Sequence, residues 1–170
     1  MKKRMLSLFL AVTMVLQLCG TLAFAVEADG IYASGEAGML SWVVTDDGTL
    51  TISGNGGMDI YEEDESMYST APWGWCAPVV EKIIIEEGVM SVGPYAFVGF
   101  DKLRYVEIPD SVMMVDSYAF YRQSGEVHTI LLFKGDAPDY IGSMAFAQRY
   151  NTYGVYMEGQ PGWAEEIGDY

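Results

Sequence analysis

The sequence is poor in cysteine, histidine and basic residues, and each shortage excludes a class of function. Two cysteines and one histidine among 170 residues supply neither a disulfide framework nor the ligands of a zinc site. Acidic residues outnumber basic ones by 24 to 9, which gives a formal net charge of −15. This charge repels phosphates, so neither nucleic acid nor an anionic membrane is expected as a partner. A glycine-rich phosphate loop is also absent, and no cofactor is expected.

The first 25 residues have the pattern of a secretory signal peptide. Three basic residues at positions 2–4 precede an apolar run that is short for a bilayer span, and Ala23 and Ala25 provide a cleavage motif. Cleavage after Ala25 would change the net charge from −15 to −18, because three positive charges are lost. Two alternatives remain open, namely a lipoprotein signal ending at Cys19 and an uncleaved N-terminal anchor. Either way, the expected location is secreted or extracellular, with association at the cell surface as a variant.

The middle of the chain contains repeats. Residues 89–97 read VMSVGPYAF and residues 112–120 read VMMVDSYAF. A third Ala-Phe pair, Ala145-Phe146, follows the second after a slightly longer interval. A nearly constant period of about 23 residues predicts a solenoid, in which neighbouring units stack to bury a common core. We therefore expect Phe97, Phe120 and Phe146 to stack as one aromatic column.

The sequence of residues 103–110 predicts the local structure of one repeat. Alternating apolar residues predict a short strand that ends at Pro109. Its inward side chains should be Leu103, Val106 and Ile108. The third repeat allows two registers: one directs Val127, Ile130 and Leu132 inward, the other His128, Leu131 and Phe133.

Residues 103–120 follow the pattern L-x-x-V-x-I-P-x-x-V-x-x-V-x-x-x-A-F and resemble the BspA-like family of bacterial leucine-rich repeats. Residues 80–97 and 131–146 look like variant copies, and the family's usual ending favours the second register for the third copy. The resemblance implies a β-rich α/β solenoid, a short right-handed stack of about three leucine-rich repeats. It also implies a hairpin cap at the N-terminal side, around the turn Asp46-Asp47-Gly48.

The expected organisation has four parts. They are a signal peptide (1–25), a hairpin cap with an acidic loop (26–78), leucine-rich repeats (79–150) and a C-terminal cap (151–170) in which Trp163 acts as a lid. The acidic run at 59–65 is interpreted as a solvated loop rather than a calcium site, since it lacks the ligand spacing of an EF-hand.

The resemblance implies a non-catalytic module for protein recognition or adhesion at a bacterial or host surface. Outward positions of adjacent strands would bind the partner: Lys82, Ile84, Tyr105 and Glu107. The alternative is carbohydrate binding through Trp73, Trp75 and nearby tyrosines, although Trp73 can also plug the cap. No enzyme is expected, because no motif selects a pair of carboxylates or a Cys76–His128 dyad. Cys76 is interpreted as a buried small hydrophobe, with intermolecular pairing as the alternative.

Overall fold

The computed structural model describes residues 30–122, 127–146, 152–156 and 159–163, and the predicted signal peptide lies outside these ranges. A single turn of 3-10 helix spans Gly74–Cys76. The strands are β1 (Ile31–Ala37), β2 (Leu40–Thr45), β3 (Thr49–Gly54), β4 (Gly56–Gly57), β5 (Lys82–Ile85), β6 (Val89–Val92), β7 (Tyr105–Ile108), β8 (Met114–Val115), β9 (Thr129–Phe133), β10 (Tyr140–Ile141) and β11 (Thr152–Val155).

The strands form two sheets. The first sheet has seven strands in the order β1-β2-β3-β5-β7-β9-β11, and the second has four in the order β10-β8-β6-β4. From β3 onward, neighbouring strands in both sheets run parallel. Since the chain alternates between the sheets as it advances, each unit adds one strand to each sheet, which is the pattern of a solenoid.

The expected α/β class is wrong in its helical part. Within the described ranges there is no α-helix, and the described residues that link the two sheets form turns, bends and one turn of 3-10 helix. A repeat of about 23 residues that already contains two strands leaves little chain for an α-helix. No helix in these ranges is long and apolar enough to cross a bilayer. The count of about three repeats stays a prediction.

In the first sheet, residues at equivalent positions of successive repeats are paired on neighbouring strands. Ile83 lies beside Val106 of the next repeat, and Val106 lies beside Leu131 of the third, where a small insertion lengthens the interval. All three side chains are buried. The second register of the third repeat is therefore confirmed for its strand residues, and Phe133 is buried with them.

That register fails at one residue, since His128 is exposed rather than inward. Thr129 is buried instead, and its hydroxyl donates a hydrogen bond of 2.6 Å to the carbonyl of Leu103. Beside it, the buried guanidinium of Arg122 donates to the same carbonyl at 3.0 Å and to that of Val127 at 2.9 Å. Burial lowers the pKa of Arg122. Thr129 and Arg122 thus fill the inward position that the register had assigned to the imidazole of His128.

The aromatic column predicted from the repeats is confirmed. Phe97 stacks on Phe120 with ring centroids 5.0 Å apart, and Phe120 stacks on Phe146 at 5.8 Å. Trp73 extends the column at its N-terminal end, 5.8 Å from Phe97. The column is therefore a continuous core rather than three separate clusters.

Buried alanines let the units approach closely beside this column. Ala96, Ala119 and Ala145 are fully buried. The amide of Phe97 donates to the carbonyl of Ala119, and that of Phe120 to Ala145, both at 2.8 Å. A larger side chain at these alanines would separate the stacked turns, because protein interiors are close-packed.

The N-terminal segment is an antiparallel unit joined directly to the parallel sheet. The expected hairpin is present as β2 and β3, and β1 adds a third strand that the sequence did not predict. Gly48 in its turn has φ +80°, and a Cβ there would lie 2.7 Å from the carbonyl oxygen of Val79. The turn thus requires glycine for conformation and for space. Leu50 pairs with Ile83, so this unit continues the hydrogen bonding of the repeats.

At the other end, Trp163 covers the last repeat. Its ring lies 4.6 Å from that of Phe133 and 4.8 Å from that of Tyr156. The indole nitrogen donates a hydrogen bond of 3.3 Å to the carbonyl of Gly135. These contacts hold the indole against the last repeat, and the role of residues 151–170 as a C-terminal cap stays a prediction.

Candidate functional site

The outer face of the first sheet carries two straight rows of side chains. Period-two alternation directs every second residue of each strand away from the core, and parallel register places equivalent residues side by side. The first row is Lys82, Tyr105, Ile130 and Tyr153. The second row is Ile84, Glu107, Leu132 and Val155. The four residues predicted from the sequence therefore lie together, as neighbours on β5 and β7.

Sequence reasoning missed the half of this face that lies toward the C-terminal end. On β9 and β11, Ile130, Tyr153 and Val155 are 43%, 54% and 45% exposed. The favoured register of the third repeat already placed Ile130 and Leu132 outward, so the signal was available for β9. These residues make the face more apolar than the first two strands indicate. Contiguous exposed apolar side chains are typical of interaction surfaces.

A small polar network lies within this apolar surface. Lys134 forms an ion pair with Glu107, and the hydroxyl of Tyr105 donates to a Glu107 carboxylate oxygen at 3.2 Å. The ammonium of Lys82 lies 5.2 Å from the centre of the Tyr105 ring, in a cation–π geometry. The network fixes the Tyr105 ring between a cation and a carboxylate.

The network changes the acidity of its members. Hydrogen bonding from Lys134 lowers the pKa of Glu107, and the same bond raises the pKa of Lys134. Burial raises the pKa of Tyr105, and the neighbouring Glu107 charge raises it further. Glu107 is therefore ionised and Tyr105 neutral near pH 7, so the face presents a fixed pattern of charges to a ligand.

The two tryptophans proposed as an alternative platform lie in different environments. Trp73 is fully buried, and its indole nitrogen donates a 2.9 Å hydrogen bond to the carbonyl of Ala96. Its predicted role as a platform residue is wrong, because a ligand cannot reach a ring inside the aromatic column. Trp75 is 60% exposed, and its ring centroid lies 5.9 Å from that of Tyr32, which is 48% exposed.

The residues considered for chemistry are not assembled into a reactive site. Cys76 is a free, fully buried cysteine whose thiol pKa is raised by burial. His128 lies on the surface, where its ring stacks 5.8 Å from that of Tyr153. In the acidic loop, Asp64 accepts hydrogen bonds from the amides of Ser66 and Tyr68, which shapes a turn. Among the described residues, no group of three or more His, Cys, Asp or Glu side chains could hold a metal ion.

A small open cleft lies between residues 66–68, which follow the acidic run, and the segment that connects the first repeat to the second. Its volume is about 80 Å³, and it is lined by Ser66, Met67, Tyr68, Gly99 and Asp101. Ligand pockets for small molecules usually measure roughly 300–1,000 Å³. The cleft is too small to enclose a substrate.

Comparison with known proteins agrees with the repeat pattern. The model of a BspA type leucine rich repeat region, built from six copies, matches residues 75–170. A solved leucine-rich repeat protein from Eubacterium ventriosum is similar, with 23% identity and a TM-score of 0.47 over 74% of this chain. The chain spans 27% of the length of that protein. No curated protein matches the chain.

Proposed function

This chain belongs to the BspA-type leucine-rich repeat family, and on that premise we propose that it is an extracellular, non-catalytic module that binds another protein. Leucine-rich repeat modules generally mediate protein binding, and those of the BspA type are typically surface or secreted bacterial proteins. The binding surface would be the outer face of the first sheet. Fold alone does not determine function, so the proposal depends on what this face presents.

One observation carries the proposal: the two outward rows form an apolar surface that continues across four adjacent strands. Ile130, Tyr153 and Val155 are each more than two-fifths exposed, so most of their apolar surface is not used for packing within the chain. Surfaces that bind proteins combine such aromatic and aliphatic anchors with a polar surround. The open sheet is suited to a macromolecule rather than to a small substrate.

The charged residues on the outer face of the first sheet favour one kind of protein partner over others. Lys82 lies over the Tyr105 ring, whereas Lys134 is already paired with Glu107. An acidic side chain of a partner could bind Lys82 without breaking an existing ion pair. We therefore expect a partner whose apolar contact residues are accompanied by a carboxylate, and binding that weakens as salt increases.

The test uses paired alanine substitutions at the centre of the face. Partners would be captured by the purified chain from culture medium and cell envelope, and their affinity then measured with purified proteins. Replacing Ile84 and Tyr105 with alanine should abolish capture and leave the circular dichroism spectrum unchanged. Tyr140→Ala, which removes an exposed tyrosine from the second sheet, is the matched control. Equal capture by the double variant and the control would remove this face from consideration.

A second candidate function is carbohydrate binding, and the exposed pair Tyr32 and Trp75 favours it. Aromatic rings accessible to solvent can stack on the apolar face of a sugar. A glycan array identifies ligands, and quenching of tryptophan fluorescence measures their affinity. Trp75→Ala should abolish sugar binding, whereas the Ile84 and Tyr105 double variant should retain it. Sugar binding that survives Trp75→Ala would eliminate this pair as the platform.

A further inference from the structure

Methionine is distributed unusually in this protein. Methionine side chains are among those most often buried, yet only one of the seven described here, Met58, is buried. The other six are exposed. Four of the six lie on or beside the second sheet, namely Met39, Met90, Met113 and Met114.

The repeat places three of these methionines next to one another. In each V-M-x-V segment the two valines are buried; between them, Met90, Met113 and Met114 are exposed and Ser91 is partly exposed. The amide of Met113 donates a 3.0 Å hydrogen bond to the carbonyl of Met90, so these equivalent residues lie side by side, Met90 on β6 and Met113 directly before β8. Adjacent strands are about 4.8 Å apart. Met114 follows directly and lies beside Ser91 of the neighbouring strand.

A fourth thioether reaches the same surface from the N-terminal unit. Met39 covers Gly56, where a Cβ would lie 2.8 Å from the Met39 Cε atom. Gly56 is the register partner of Val89, the residue that precedes Met90. Its φ of +147° favours glycine at this position, and the absence of a side chain leaves room for the Met39 methyl group. The Met39 side chain thus lies over β4, next to Met90 on β6, and Met113 and Met114 lie at the start of β8 on the far side of β6.

Thioethers on a rigid sheet have a specific ligand chemistry. They are soft donors that select copper(I) over hard cations, and they carry no proton that must be displaced. Methionine side chains are unbranched and flexible, so neighbouring exposed sulfurs can turn toward one ion. The strongly acidic chain also raises the local concentration of cations.

We propose that Met90, Met113 and Met114, with Met39 beside them, form a binding site for a soft monovalent metal ion, copper(I). The site is on the second sheet, so it is independent of the protein-binding face proposed on the first. The sheet spacing sets the separation of the side chains, and their exposure leaves them free to bind. The metal would be held by thioether sulfur alone.

The experiment uses silver(I), a redox-stable analogue of copper(I), with copper(I) as the second probe. The full chain carries ¹³C-labelled methionine methyl groups, in a Cys19→Ser, Cys76→Ala background so that no thiol competes. Added silver should shift the methyl resonances of Met90, Met113 and Met114, and the shifts should saturate at one equivalent. Copper(I) should displace the silver and shift the same resonances.

Leucine substitutions keep side-chain volume and hydrophobicity, so they test the sulfur without removing packing. The M90L/M113L/M114L variant should bind silver at least about tenfold more weakly, a difference of roughly 1.4 kcal/mol. The matched control M67L/M144L replaces two other exposed methionines and should bind as the parent does. Each single leucine variant at 90, 113 or 114 should weaken binding measurably, which keeps the test valid if the triple variant does not fold.

Two results would overturn the proposal. One is the absence of saturable methyl shifts, with silver acting equally on every exposed methionine. The other is a triple variant that folds, as judged by circular dichroism, and still binds silver as tightly as the control.

Discussion

Replacing Phe120 with alanine interrupts the aromatic column at its middle. Phe120 is 2% exposed and stacks between Phe97 and Phe146, with ring centroids 5.0 Å and 5.8 Å away. Its neighbours belong to the repeats before and after its own. The substitution therefore leaves a cavity shared by three successive units, and backbone hydrogen bonds to Ala119 and Ala145 restrict its collapse.

The expected loss of unfolding free energy is about 3–5 kcal/mol, the range for buried phenylalanine replaced by alanine. For a domain of this size, about 4 kcal/mol corresponds to a decrease in Tm of roughly 8–16 °C. Phe146→Ala is the internal comparison. Phe146 is only partly buried and stacks on Phe120 alone within the column, so its removal should cost less, about 1–2 kcal/mol.

Urea denaturation followed by tryptophan fluorescence measures both losses. Trp73 lies at the end of the column, 5.8 Å from Phe97, and reports its disassembly. A lower urea concentration at the midpoint, with the same dependence of unfolding free energy on urea concentration, shows that only stability has changed. A loss below about 1 kcal/mol for Phe120→Ala, or a larger loss for Phe146→Ala, would refute a common column.

Two further predictions concern the charged network and a close backbone contact. The pKa of Glu107 is lowered in the folded state, so its contribution to stability is present above its unfolded value of about 4.5 and is lost as the pH falls through the folded value. Glu107→Gln should therefore reduce the difference in urea midpoint between neutral and acidic pH, and an undiminished difference would contradict the ion pair with Lys134. A Cβ on Gly74 would lie 1.8 Å from the carbonyl oxygen of Ser69, so Gly74→Ala should cost more than about 2 kcal/mol in the same denaturation assay. A neutral substitution there would show that the 3-10 turn does not approach this loop.

The core was predictable because each repeat has the same kind of apolar residue at the same inward position. A period of 23 residues makes Ile83 equivalent to Val106, and these two residues are register partners. The recurring Ala-Phe pair predicted the column. A strand that is buried on one face must alternate, so the outward positions of β5 and β7 followed from the inward ones.

The rest was not predictable, because it depends on parts of the chain that do not repeat. After Ile31 and Tyr32, β1 continues with the small and polar residues ASGEA, so its antiparallel pairing with β2 is what makes it a strand. Thr129 and Arg122 are buried and His128 is exposed, whereas the favoured register of the third repeat predicted an inward histidine. Lys134 reaches Glu107 from the end of a different strand, a contact that the spacing of either residue does not indicate.

The V-M-x-V segments show why fold and binding are specified by different residues. The two valines are buried in both copies, but the residues between them are Met90 and Ser91 in one and Met113 and Met114 in the other. Met90, Met113 and Met114 are exposed to solvent, so we expect the stack to tolerate other side chains at these three positions. The same separation holds on the first sheet, where a lysine, a tyrosine and an isoleucine occupy equivalent outward positions on β5, β7 and β9. Substitutions on either outer face should therefore change binding without weakening the aromatic column, and substitutions in the column should lower stability before they alter what either face recognises.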